Sequence, residues 1–121
     1  MSSLLEGMRQ FFARLENDEE GKKVLSFLER DFQFKLPNGG SFVMSIKAKR
    51  FSFEQGEVPD QNFRRVTPVY TDEATLRDLM AGRVSPSEAY FSQRIGGWPG
   101  SSRAYSFSLL RLFRRGQELS R

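Results

Sequence analysis

Phe32, Phe34 and Leu36 alternate with Gln33 and Lys35, and after Pro37-Asn38-Gly39-Gly40 the alternation resumes at Phe42, Met44, Ile46 and Ala48. Successive strand side chains point to opposite faces, so each run puts its apolar set on one face. The glycine-containing turn joins the two runs into a hairpin. A slip of one residue would move every one of these side chains into water, which makes the register the tightest constraint in the chain. Phe32, Phe34, Phe42, Met44 and Ile46 are therefore expected to face a layer of helices.

The material for that layer lies on both sides of the hairpin. Leu4, Leu5, Met8, Phe11, Phe12 and Leu15 recur at helical spacing behind Ser3 as cap, with Glu6, Arg9, Gln10 and Arg14 on the other face. Asp18-Glu19-Glu20 suits the first turn of a second helix, expected to run through Val24, Leu25, Phe27 and Leu28 to about Arg30. Beyond the hairpin, Arg50 to Gln55 and Arg65 to Thr71 read as strands. Pro68 in the second argues for an edge position or a bulge.

Asp72 or Thr71 then caps a helix through Leu76, Leu79 and Met80 that stops at Gly82. Ser85-Pro86-Ser87-Glu88 carries a capping box with proline at the first helical position. The short helix it opens runs through Phe91, and a brief strand is expected near Gln93 to Gly96. After the turn Gly97-Trp98-Pro99-Gly100, Ser101 or Ser102 caps a last helix holding Tyr105, Leu109, Leu110, Leu112 and Phe113 and ending near Gly116. The 121 residues fit one α+β domain, with helices at 1–30 and a core at 32–115 around a mostly antiparallel sheet.

Composition removes several chemistries. The chain has no His and no Cys, which excludes disulfides, thiol nucleophiles, His-based triads and Cys/His zinc sites. The run Asp18-Glu19-Glu20 reads as a solvated first turn before it reads as a metal or acid–base site. Glu54, Glu57 and Asp60 line a loop with nothing that requires them to face one another. Gly96 to Arg103 lacks the Gly-Lys-Ser/Thr of a phosphate loop and the βαβ context around it. No cofactor, metal or nucleotide is expected, and no catalytic residue.

Net charge is +4, and residues 61–121 carry ten Arg against five acids. Such a basic half points to an acidic partner. Arg111, Arg114 and Arg115 could meet phosphates, but cations in a last helical turn also complement the dipole, and no base-stacking motif accompanies them. A specific nucleic-acid partner is not expected. The first residues lack the basic and long apolar regions of a secretory signal, so a cytoplasmic protein is the expectation.

Leu76, Leu79, Met80, Gly82, Arg83, Ser85, Pro86, Ala89 and Phe91 carry a pattern of Leu-x-x-Leu-hydrophobic-x-Gly-Lys/Arg, then Ser-Pro, then Ala followed by Phe. With the preceding hairpin and a terminal helix at Ala104 to Phe113, this resembles the sterol-carrier-protein type 2 domain family over roughly 32–115. The family's Gly-Asp turn is missing from Ser92-Gln93-Arg94-Ile95-Gly96-Gly97-Trp98. The resemblance implies a five-stranded sheet covered by helices, with an apolar cavity under the C-terminal helix. It also implies non-catalytic binding or transfer of a sterol, fatty acid, acyl-coenzyme A or isoprenoid lipid. Implied partners are the lipid and, transiently, an anionic membrane surface or a partner enzyme, for a monomer or weak homodimer.

Ligand-facing candidates are Leu76, Met80, Tyr90, Phe91, Trp98, Tyr105, Leu109 and Phe113, each of which also reads as plain core. Arg103 or Arg111 could hold an acidic head group, against the simpler reading of a solvated arginine. The alternative is an accessory or oligomerisation module with a filled interior that contacts a partner enzyme.

Overall fold

The computed structural model describes residues 2–37, 40–58, 65–97 and 103–120. Helix α1 spans Ser2–Ala13 and runs into a tight 3-10 turn, Arg14–Asn17; α2 spans Glu19–Ser26. Strands β1 (Arg30–Lys35), β2 (Phe42–Lys47), β3 (Arg50–Gln55) and β4 (Val66–Tyr70) follow. Then come α3 (Glu73–Ala81), α4 (Pro86–Phe91), the two-residue β5 (Gly96–Gly97) and α5 (Arg103–Leu119). The spatial order is β3-β2-β1-β4-β5.

The hairpin register is the expected one. Phe32 pairs with Met44 and Phe34 with Phe42, and Phe32, Phe34, Phe42, Met44 and Ile46 are all buried. The Phe34 and Phe42 rings stack at 4.7 Å. Ala48 does not continue β2. With Lys49 it forms the two-residue turn to β3, at φ 52° and 63°, a conformation that glycine or asparagine would adopt with less strain.

Four strands of five or six residues form a mixed sheet, and β5 is only a stub on its edge. β1–β2 and β2–β3 are antiparallel, whereas β1 and β4 run parallel. β4 is thus an inner strand, although Pro68 suggested an edge. The N–H of Asp31 donates to Arg65 O and that of Thr71 to Lys35 O, which turns the odd-numbered residues of β4 toward β1. Pro68 therefore presents its missing donor to the far side. There β5 pairs only with Val69 and Tyr70.

Helices cover one face. The Phe12 ring of α1 lies 5.1 Å from Phe51 of β3 and 5.1 Å from Phe113 of α5. Helix α2 ends at Ser26, not near Arg30, because burial turns to period two at Leu28, Arg30, Phe32 and Phe34. The Asp18 side chain caps α2 by accepting from the Gly21 N–H at 2.9 Å. A Cβ at Gly21 would sit 2.3 Å from the Leu15 carbonyl oxygen, so only glycine permits that reversal. Asp72 caps α3 through the Thr75 N–H, Gly82 ends it at φ 76°, and Ser85 and Glu88 close the capping box of α4.

On the opposite face, the chain leaving β3 crosses over β1. Buried Gln33 holds it there: its amide donates to Phe42 O and Gly56 O and accepts from the Val58 N–H. The glutamine makes three hydrogen bonds where an apolar side chain would leave backbone groups unpaired.

Candidate functional site

Helix α5 lies over the other helices and one edge of the sheet, and its two halves are held differently. Its C-terminal half is fastened by polar contacts. Arg115 donates from Nε and Nη2 to the two carboxylate oxygens of Asp18, both at 2.8 Å. These bonds, with the Gly21 N–H, hold the Asp18 carboxyl down at about 2, below its ordinary 3.8, and Asp18 in turn raises the Arg115 guanidinium. Buried Gln117 donates to Leu79 O and Val84 O, both at 2.8 Å, joining α5 to the end of α3.

Gly116 was expected to stop this helix, but α5 continues to Leu119. The glycine is there for close approach, since a Cβ would lie 2.3 Å from the Phe11 ring. The expected cap at Ser101 or Ser102 lies outside the described residues.

The N-terminal half of α5 rests on apolar side chains. Leu109, Leu110 and Ser106 close over Val69, Tyr90, Ile95 and Gly96 around a space of about 10 Å³. That volume holds about one water. The same half of α5 also meets an interior cation. Arg30, on the same face of β1 as Phe32, donates from Nε to the Thr67 hydroxyl and lays its guanidinium 3.8 Å over the Tyr105 ring of α5. Desolvated, such stacking contributes about 2 kcal/mol.

The segment below the cavity is held by a second carboxylate. Arg94 donates to Asp78 at 2.8 Å and to Thr75, and Arg83 donates to the other Asp78 oxygen. Arg94 and then Arg83 lower the Asp78 carboxyl. The strand expected from Gln93 is displaced to Gly96. Gln93 adopts φ 64°, and the N–H groups of Arg94 and Ile95 return to Ala89 O, which folds these residues back onto the end of α4.

Of the eight residues proposed from sequence, Tyr90 and Leu109 line the cavity, whereas Tyr105 lies under the Arg30 guanidinium. Leu76 and Phe113 are fully buried, Phe113 against Phe11 and Phe12 of α1. Met80 meets α1 at Gly7. Phe91 points outward, and Trp98 lies outside the described residues. Val69, Ile95, Ser106, Leu110 and Arg30 were not proposed. The two-residue spacing of Leu28, Arg30 and Phe32 was the sequence signal that could have put Arg30 on the inner face. Asp18 serves as a cap and ion-pair partner. Among the described residues no group of three acids, His or Cys could hold a metal. No helix among them is long and apolar enough to cross a membrane.

No family model matches this chain, and no curated protein sequence does. Solved structures do. The sterol carrier protein domain 2 of Helicoverpa armigera is similar at TM-score 0.62 and 24% identity, over 92% of this chain and 85% of that one. A crystal structure of sterol carrier protein 2 is similar at TM-score 0.65 and 16% identity, over 96% and 95%. A UbiJ-SCP2 ubiquinone synthesis protein is similar at TM-score 0.65 and 10% identity, over 97% and 93%. The chain thus has the α+β fold of sterol carrier protein 2 domains, and its resemblance to them extends through nearly its whole length.

Proposed function

We propose that this chain is a non-catalytic lipid-binding or lipid-transfer domain of the sterol-carrier type, holding an apolar lipid between the N-terminal half of α5 and the sheet. One observation carries the reading. The same layer that encloses the small cavity is lined by Val69, Tyr90, Ile95, Leu109 and Leu110, with Ser106 as its polar member. The likeness to sterol carrier protein 2 structures supports it.

A ligand pocket of roughly 300 Å³ or more is needed for a small lipid. A space of about 10 Å³ must therefore widen, and the uneven fastening of α5 suggests how. Its N-terminal half lifts while Arg115, Gly116 and Gln117 stay seated. Eight to ten buried methylenes contribute roughly 6–8 kcal/mol at about 0.8 kcal/mol each, near micromolar affinity before the opening cost.

Displacement of a fluorescent fatty acid tests the reading, with native mass spectrometry for a co-purified lipid. Saturation near one ligand per chain supports it. If no fatty acid, sterol or isoprenoid binds below about 100 μM, the reading gives way to an accessory module with a filled interior.

A further inference from the structure

The sheet ends in two unequal edges. β5 is two residues long and offers almost no ladder to extend, whereas β3 runs from Arg50 to Gln55. An edge strand with open N–H and C=O groups is a template for another chain. Along an antiparallel ladder, residues alternate between bonding their partner and bonding outward. Phe51 and Phe53, opposite Ile46 and Met44, are the outward ones, because side chains from outside the sheet meet their backbone. The Phe51 N–H donates to Glu16 Oε2 at 2.7 Å, and Arg9 Nη2 donates to Phe53 O at 3.1 Å. Arg9 lies on α1 and Glu16 on the 3-10 turn that continues it, with Ala13 between them. An open space of about 350 Å³ separates these three from Phe51, Ser52 and Phe53.

We propose that Arg9 and Glu16 are edge guards, which bar a second copy of this chain from adding its own β3 to the sheet. The bare edge is complementary to itself. A two-fold axis through Ser52 sets Phe51 against the second copy's Phe53, and each such pair exchanges backbone bonds in both directions. The same axis sets Arg50 against the second copy's Glu54, opposite charges on the exposed face that also carries Ser52. In each pair one bond joins a Phe51 N–H to a Phe53 O, and the guards already occupy both ends. Their polar atoms stand where the next strand's backbone would stand. Pairing must therefore break two good hydrogen bonds on each copy before it completes its own.

The chain has no Cys, so Ser52→Cys reports this pairing alone. Facing residues that do not bond each other bring their Cβ atoms to about 4.5 Å, near disulfide reach. In an R9A/E16A background, S52C should cross-link under diamide about tenfold or more faster than in the parent, the scale set by the released bonds. R9A/E16A should elute as a dimer whose share rises with concentration, and the parent as a monomer. Glu16→Gln keeps an acceptor for the Phe51 N–H and should behave as the parent does. Adding Ser52→Lys to R9A/E16A puts like charges on the axis and should restore the monomer.

A double variant that stays monomeric and cross-links no faster than the parent would overturn the proposal. So would a parent that already cross-links at the variant's rate, or a Glu16→Gln chain that dimerises. Association that Ser52→Lys leaves in place would also overturn it, since partly unfolded chains would stick in that way. No lipid enters any of these arms, so their failure leaves the lipid-binding reading standing.

Discussion

Arg115 grips Asp18 through two parallel hydrogen bonds of 2.8 Å, joining residues ninety-seven positions apart in the chain. The pair fixes the C-terminal half of α5 against the start of α2, and Asp18 still caps α2 through the Gly21 N–H. Both carboxyls that receive arginines, Asp18 and Asp78, titrate below their ordinary range when folded.

Their stabilisation should therefore be complete above the unfolded carboxylate range, near pH 4, and be lost as pH falls through the folded value, about 2 for Asp18. Thermal melts between pH 7 and pH 2 should show this loss. Asp18→Asn should lower the melting temperature at pH 7 and flatten the acid limb. An unchanged acid limb would mean that the ion pair contributes nothing to stability.

Two glycines should resist alanine for different reasons. Gly21→Ala drives a Cβ toward backbone, the Leu15 carbonyl, and should cost about 2–3 kcal/mol in urea unfolding. Gly116→Ala drives it toward the Phe11 ring, while gaining about 1 kcal/mol of helix propensity. It should cost less, about 1 kcal/mol, and Phe11→Leu in the same chain should recover part of the loss.

The β2–β3 turn should be improvable. Ala48 and Lys49 both sit at positive φ without being glycine. Ala48→Asn with Lys49→Gly supplies the residues that such a turn favours and should stabilise by about 1–2 kcal/mol. A loss of stability would show that positive φ at these two positions does not limit the turn.

At the cavity, Leu109→Trp should fill the space beneath α5 and weaken fatty-acid binding tenfold or more, about 1.4 kcal/mol. Leu109→Ala should cost about 2–5 kcal/mol of stability. Its melting temperature should then rise further on adding fatty acid than the parent's does. Unchanged affinity in both variants would place the lipid elsewhere.

The hairpin register was legible because alternation states it twice, once on each side of the turn. The Asp72 and Ser85 caps and the Gly82 stop were legible because each depends on neighbours within four residues. Gly116 was misread for the converse reason: a glycine late in a helical run looks like a stop, and only the Phe11 ring across the interface shows otherwise. Arg30 was assigned to a helix end because local pattern cannot show Thr67 and Tyr105 waiting for it. Of the cavity, Tyr90 and Leu109 were foreseen from their helical faces. Val69, Ile95 and Ser106 come together only when α5 settles on the sheet, and no spacing along the chain encodes that.

Gln33 bears on the order in which the molecule assembles. The β1–β2–β3 meander closes through short turns, but β4 must find β1 from thirty-five residues away, the separation of Asp31 from Val66. Long closures slow folding, because chain entropy is lost before any contact rewards it. Once β3 is in place, Gln33 catches the chain at Gly56 and Val58. The remaining span to Val66 is then only eight residues, so an interior amide on the face away from the helices should shorten the closure that the parallel β1–β4 pairing requires.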